Sequence, residues 1–505
     1  MQNVDGTKRR FFSSVIGNII RSGFSLVTGL ILARWLGPSE YGRMSFLITS
    51  FTAFRTLTDL GTSSAFFTFL SQKKRSNKFI QYFWKWILFQ FLFTLILIYF
   101  CLPQSLINEI WKGEDKLIIF LAMISTFVQG SIWPIASQMA EANRKTFKLQ
   151  LINTLVVVVN LIVIILLYKF GKLAIPTIFI SLFFEWAIAS WFASKMYDSE
   201  KINNNKIDEV NDTPLSVIRE FYIYCLPFVP YTIFSFFHDF LDRWMLQRWG
   251  GSIQQGFYTI SYQFATISLL ATTSILRIFW KEIAEANYTQ NHHRVNELYL
   301  KVSRGLYFIG AISAGALIPW TQEIIQIMLG KDYIAAKMTM MLMFFYPVHQ
   351  SIGQIGSSML LATGKTRIQV LLGIVFMIVS ILVTYFVLAP VNLKIPGLGL
   401  SSVGLAWKMV LMQIIQVNVL LVLISRNFNC EYDWKFQFYG LIPPLLIGSI
   451  LKFIIFKIFS ISVYIEIGIF AIVYLVIVVA FAFIFPSICG ISILEIKQIR
   501  AKFLN

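Results

Sequence analysis

Apolar stretches of about 20 residues, each long enough to cross a bilayer, recur along the whole of this chain. A window of about 19 residues places some fourteen of them near 12–35, 41–69, 81–102, 117–139, 149–168, 174–194, 221–246, 256–280, 305–328, 337–361, 369–389, 402–424, 437–458 and 464–485. Charged residues are 13% of the chain, against about 25% in a typical soluble domain, which leaves no room for a large soluble domain. The expected fold is an all-α polytopic membrane protein with about 14 transmembrane helices.

The loops between these segments alternate in charge. Lys8, Arg9, Arg10, Lys73, Lys74, Arg75, Lys78, Arg144, Lys145, Lys148, Arg294, Lys301, Lys365, Arg367, Lys497, Arg500 and Lys502 fall at the termini or in every second connection. The opposite connections are poor in Lys and Arg, and 104–116 carries Glu109, Glu114 and Asp115. The basic side is the cytoplasmic one, so both termini are expected in the cytoplasm. The net charge of +18 then reflects topology and nearness to anionic headgroups, not nucleic-acid binding. The first apolar stretch contains Arg21 and lacks a small-residue cleavage site, so it reads as a retained span.

Two echoes divide the chain. Arg34, Trp35, Gly37 and Gly42 return as Arg248, Trp249, Gly251 and Gly256, each 214 residues later. Met139, Ala142, Lys145 and Thr146 return as Met359, Ala362, Lys365 and Thr366, each 220 residues later. Both copies of each echo lie in breaks between apolar segments. The pattern predicts two six-helix lobes related as tandem repeats, plus two C-terminal helices: an N-terminal lobe over 1–200, a cytoplasmic linker over 201–220, a C-terminal lobe over 221–424, and two additional spans with a tail over 425–505. Paired lobes around a midplane site form a transporter architecture.

Soluble-enzyme motifs fail on inspection. Gly364-Lys365-Thr366 ends like a phosphate loop, but Met359 stands where the first glycine belongs. Cys101, Cys225, Cys430 and Cys489 are scattered, and His292-His293 falls in a polar loop, so neither disulfides nor a metal site is expected. No enzyme activity and no cofactor are expected.

Charge within the spans is where the chemistry must lie, because a charged side chain at the bilayer centre costs about 2.5–3.5 kcal/mol and faces an interior cavity or a partner. The candidates are Arg21, Arg55, Asp59, Glu185, Asp239, Asp242, Arg243, Arg277 and Lys408. Arg55 and Asp59 share a helix face at i, i+4, as do Asp239 and Arg243, so each is placed to pair. Arg21 and Arg277 have no acid three or four positions away and lie among hydroxyl residues (Ser22, Ser25, Thr28; Thr272, Thr273, Ser274). Unpaired guanidinium groups on a polar strip suit phosphate, which they bind bidentately. Pro227 and Pro230 are expected to bend the seventh span, and Pro347 the tenth. Trp133, Trp186, Trp280 and Trp320 are able to stack on sugars, with Trp133 and Trp280 read as interface anchors.

Leu36-Gly37-Pro38-Ser39-Glu40-Tyr41-Gly42 followed by Asp59-Leu60-Gly61 resembles the N-terminal signature of polysaccharide flippases, the Wzx-like branch of the multidrug/oligosaccharidyl-lipid/polysaccharide exporter superfamily. Asp242-Arg243 before the Gly-Gly turn, and Gly256-Phe257-Tyr258, are similar to the same family. The resemblance implies a flippase of the bacterial cell membrane. Such a protein moves an undecaprenyl-pyrophosphate-linked oligosaccharide to the outer leaflet through a cationic central cavity, for O-antigen, capsule or other surface polysaccharide. It implies cavity cations at Arg21, Arg55 and Arg277, on spans one, two and eight. Asp59, Glu185, Asp239, Asp242, Arg243 and Lys408 are left as coupling or structural charges. Lipid-linked substrate and membrane lipids are the implied partners, with contacts to glycosyltransferases and a polymerase. The alternatives are a cation-coupled multidrug exporter of the same superfamily and a membrane sugar polymerase or ligase; the short outer loop near Pro103–Lys116 argues against the latter.

Overall fold

The computed structural model describes residues 2–72, 75–143, 145–196, 213–428, 434–458 and 462–490, with side chains from residue 17 onward apart from 270, 271, 273, 274, 277 and 278. Most of the predicted linker, the C-terminal tail, Cys430 and the basic residues Lys8, Arg9, Arg10, Lys73, Lys74 and Arg144 lie outside these limits in whole or in side chain. Every regular element among the described residues is a helix. Hydrocarbon offers the backbone no water, so a spanning segment must close its own hydrogen bonds.

Each of the fourteen expected windows falls on helix. By length and apolarity ten helices are able to cross a membrane, or eleven if His292–Leu317 and Thr321–Met328, bent by 72°, form one span. The difference from fourteen has two causes. Gly17–Asp59 has 43 residues and Pro214–Ile267 has 54, so each takes in one window and the first part of the next. Leu269–Tyr288 carries Arg277, Lys281, Glu282 and Glu285, and Tyr346–Ala362 is only 17 residues long.

The chain forms two compact units, Met1–Gly256 and Phe257–Asn505. In the first, α1 (Gln2–Asp59) is followed by α2 (Thr62–Gln72), α3 (Asn77–Ile96), α4 (Gln104–Trp111), α5 (Lys116–Phe127), α6 (Trp133–Ala142), α7 (Thr146–Lys169), α8 (Ile175–Ser194), α9 (Pro214–Cys225) and α10 (Val229–Ile267), the last crossing the unit boundary. α1 breaks at Gly37 (φ 73°, ψ 169°) and α10 at Gly251 (φ 78°, ψ 179°). That backbone region is essentially closed to residues with a Cβ. The sequence echo is therefore an echo of conformation.

These two turns pack against each other, backbone on backbone. A Cβ on Gly42 would collide with the Ser252 carbonyl, and one on Gly256 with the Pro38 carbonyl. Gly42 and Gly256 are equivalent under the 214-residue offset, as are Pro38 and Ser252. The contact is thus reciprocal, as in a two-fold interface. α4 lies alongside: Arg43 binds Glu114 through two bonds, Nε–Oε1 at 2.6 Å and Nη2–Oε2 at 2.7 Å, and also Glu40 at 2.7 Å. Arg248 pairs with Glu109, and Lys112 Nζ donates to the Arg248 carbonyl at 3.0 Å. Trp111 is buried, stacks on Phe51 and donates to Ser50 Oγ at 3.2 Å.

In span seven the short 3₁₀ turn Leu226–Phe228, which contains Pro227, separates α9 from α10. Trp133 is a correction. It is buried rather than at an interface, and its ring packs 5.3 Å from that of Trp186 in the core shared by α6, α7 and α8.

The second unit continues with α11 (Leu269–Tyr288), α12 (His292–Leu317), α13 (Thr321–Met328), α14 (Lys337–Met343), α15 (Tyr346–Ala362), α16 (Thr366–Leu388), α17 (Ser401–Phe428), α18 (Lys435–Ile458) and α19 (Val463–Ile484). Pro347 falls in the first turn of α15, where its missing amide costs nothing. The second echo is structural too. α6 ends at Ala142 and α15 at Ala362; α7 starts at Thr146 and α16 at Thr366. In the turns between, Lys145 N donates to Ala140 O at 3.1 Å and Lys365 N to Leu360 O at 2.8 Å. Gly364-Lys365-Thr366 is this turn. α18 and α19 dock on α12, with Tyr307 OH on the Gln437 carbonyl (2.7 Å) and Tyr474 OH on the Ile312 carbonyl (3.0 Å).

Candidate functional site

Of the intramembrane charges of the first unit, Arg55 and Asp59 lie at the end of α1, and the others lie within helices. Arg55 lies near the end of α1, half-buried. Its Nη1 donates to the carbonyl of Gly130 at 2.7 Å. Gly130 belongs to a π-helical turn, Val128–Ile132, between α5 and α6. The wider turn redirects a carbonyl out of the α-helical ladder, and such π-turns recur at functional sites. A Cβ on residue 130 would lie 2.8 Å from Cδ and Nε of Arg55, so the glycine makes the space for the guanidinium. One donor of the Arg55 fork is used here; the fork has five N–H groups.

Asp59 acts on Arg55 through space but makes no hydrogen bond or salt bridge to it. Its Oδ1 accepts from the Ser63 amide (3.0 Å), Ser63 Oγ (2.6 Å) and Thr62 Oγ1 (3.1 Å). It satisfies the open first turn of α2 just after the break at Leu60-Gly61, both of which take positive φ. Arg21, on the first half of α1, has no hydrogen-bond or ion-pair partner among the described residues.

Glu185 on α8 accepts from Asn160 Nδ2 of α7 at 2.9 Å, while its other oxygen is buried without a partner. Asp239 does not pair with Arg243. His238 takes it instead, Nδ1–Oδ1 at 2.9 Å, with Ser235 Oγ at 3.4 Å. The other face of the His238 ring lies 3.9 Å from Asp242, which is buried. One imidazole thus stands between two carboxylates. In the second unit, Lys408 is fully buried on α17. The Arg277 side chain lies outside the described residues; its backbone is in α11.

Sequence reasoning missed Gly130, His238, Asn160 and the outer ion pairs of Arg43 and Arg248. A glycine inside an apolar run was the one available signal for Gly130; the others depend on residues 25 to 139 positions away or on rotamer choice. Among the described residues no cluster of His, Cys, Asp and Glu is placed to hold a metal ion. The chemistry on offer is that of guanidinium groups in an apolar span, which binds phosphate through paired N–H donors.

The model of the family described as polysaccharide biosynthesis protein matches residues 7–279. Among curated protein sequences none matches the chain. Among solved structures, the lipid II flippase MurJ in an inward-closed conformation is similar in fold, with TM-score 0.70 at 18% identity, covering 92% of this chain and 98% of that one. A multidrug resistance MATE family transporter of the MOP superfamily, inward-facing, gives 0.57 at 14% identity, over 82% and 96%. A MOP superfamily transporter from Pyrococcus furiosus gives 0.54 at 13% identity, over 84% and 96%. With the family model spanning more than half of its length, the chain belongs to the polysaccharide biosynthesis protein family, as a multi-pass membrane protein that shares its fold with these transporters.

Proposed function

We propose that the protein flips an undecaprenyl-pyrophosphate-linked oligosaccharide from the cytoplasmic to the outer leaflet of a bacterial cell membrane, by alternating access, in the assembly of a surface polysaccharide such as O-antigen or capsule. The observation that carries this reading is Arg55, a half-buried arginine held by a backbone carbonyl, whose neighbouring acid Asp59 spends its hydrogen bonds on the α2 cap and acts on the guanidinium only through space. A direct ion pair would have tied up its N–H donors. A charge kept costly in an apolar span is a functional charge. Arg21, Arg55 and Arg277 take the pyrophosphate in a cationic cavity, while the polyprenyl tail stays in lipid. Family membership and the fold likeness to a lipid II flippase support the same cargo class. Asp59 and Glu185 serve structure, as a helix cap and an interhelical clamp. Asp239 and Asp242 around His238, with Arg243 on the same helix, are the charges left for coupling, and Lys408 is a buried structural charge of α17. Glycosyltransferases and a polymerase act before and after this step as partners.

The test is genetic and chemical. The gene is deleted from its host and restored as wild type, Arg55→Ala or Arg21→Ala. Lipid-linked sugars and surface glycan are then measured at matched protein level. Accumulated undecaprenyl-pyrophosphate oligosaccharide with lost surface polymer in the arginine variants supports the flippase. Unchanged lipid-linked sugars with altered drug sensitivity would overturn it in favour of a multidrug exporter.

A further inference from the structure

A cavity of about 630 Å³ opens in the first unit between the start of α2, α3 and the α9 segment. Its walls are nearly all apolar, with Tyr82, Phe83, Trp86, Phe221 and Cys225 among them, and Lys85 on its edge. The walls are fixed before anything binds. Arg75, just before the start of α3, bonds Glu220 of α9 at 2.6 Å and lies 4.6 Å over the Phe79 ring. Phe221 stacks on Phe79 and Phe83. Trp86 Nε1 donates to Thr62 Oγ1 at 3.0 Å, which fixes the indole. The mouth is exposed: Phe89, Ile218 and Tyr222 are 54%, 64% and 62% accessible.

On the surface of a membrane protein, an apolar hollow open on one side is filled by a lipid tail, because an empty one forfeits dispersion contacts along its whole lining. The edge of the hollow adds selectivity. Lys85 lies between the aromatic residues Trp84 and Trp86 of α3, is exposed, and meets no carboxylate among the described residues. Its amine rests 5.9 Å from the Tyr82 ring. Tyr82, Trp84 and Trp86 around it, near the start of a candidate span, are of the residue types enriched at headgroup level. The ammonium therefore meets lipid phosphates where the tail enters the hollow. Basic pockets between spans at this level recognise anionic headgroups.

We propose that this hollow is a binding site for an anionic phospholipid, with one acyl tail between α3 and α9 and the headgroup phosphate on Lys85. The site is separate from Arg21 and Arg55 and does not depend on which cargo the protein carries.

The full-length protein is purified and mixed with phosphatidylglycerol or phosphatidylcholine carrying a photoreactive diazirine in one tail. Crosslinks are mapped by peptide mass spectrometry. Phosphatidylglycerol is expected to label 82–89 and 214–226, and to do so more than phosphatidylcholine. Lys85→Gln should cut that preference about fivefold, the equivalent of the ~1 kcal/mol one lysine contributes near an anionic surface. Ile218→Trp, which fills the mouth, should lower labelling by both lipids at these segments while leaving the protein folded by thermal melting. Equal labelling by the two lipids in the wild type, or an unchanged preference in Lys85→Gln, overturns the proposal. Displacement of phosphatidylglycerol by equimolar undecaprenyl phosphate also overturns it, since the hollow would then belong to a polyprenyl lipid.

Discussion

The Arg55 guanidinium reaches the Gly130 carbonyl across 2.7 Å, and it does so over a residue with no side chain to obstruct it. The two positions are 75 residues apart, on α1 and on the π-turn between α5 and α6. Gly130→Ala places a methyl group against Cδ and Nε of Arg55, and the long side chain yields. Losing a hydrogen bond to a charged group costs about 1.5–3 kcal/mol, or roughly tenfold or more in any rate that depends on that geometry. Export of surface polymer in a complemented deletion strain should fall by that factor at normal protein level, and Arg55→Lys should fall with it. Wild-type export in Gly130→Ala would show that the position of this guanidinium is immaterial.

Gly37 and Gly251 make a paired prediction. Both hold a backbone conformation that costs about 1–3 kcal/mol for a residue with a Cβ. Gly37→Ala and Gly251→Ala should therefore lower the thermal midpoint in detergent by similar amounts. Gly42→Ala and Gly256→Ala should do more harm, because there the added methyl meets a carbonyl of the facing turn and neither backbone is able to retreat alone. Equal effects at all four positions would contradict the reciprocal packing.

Much of this arrangement was legible in the residues alone. The fourteen apolar windows all became helix, because the bilayer leaves the backbone no alternative. The echoes at Gly37/Gly251 and Thr146/Thr366 were legible because turn geometry constrains residue type locally. The charge partners were not. Spacing put Asp59 on the face of Arg55, and Asp239 on that of Arg243. Yet Asp59 turned to the open amide of α2, and Asp239 to its neighbour His238. An i, i+4 pair stabilises a helix by only about 0.2–0.5 kcal/mol, which a nearby cap or imidazole easily outbids. The Glu114 and Glu109 pairings arise from how α4 folds back, a tertiary fact with no local signature.

The outer ion pairs can be apportioned by a double-mutant cycle. Arg43 grips Glu114 through two bonds, and the Glu114 side chain is only 9% exposed. Glu114→Gln is expected to cost about 1.5–3 kcal/mol, as for a hydrogen bond to a charged group. Arg248 and Glu109 are 36% and 45% exposed, and that pair should contribute less than about 1 kcal/mol. The thermal midpoint should separate the two cycles at low salt, and added salt should shrink the Arg248–Glu109 coupling more than that of Arg43–Glu114. The opposite ranking would mean that α4 is held by its Trp111 packing and not by charge.

Asp59 offers the sharpest division between structure and coupling. As a cap, its oxygen accepts from the Ser63 amide, and an asparagine presents an equivalent oxygen at the same place. Asp59→Asn should then keep both stability and export close to wild type. Asp59→Ala should lose about 1 kcal/mol, because the first turn of α2 is left with an open donor. If Asp59 instead carried a proton through the cycle, the order would change: asparagine cannot titrate, so Asp59→Asn would fold normally and yet fail to export. Thermal midpoint and surface polymer, read together for the two variants, assign the residue. The three bonds converging on Oδ1 favour the cap, and export by Asp59→Asn is the outcome expected.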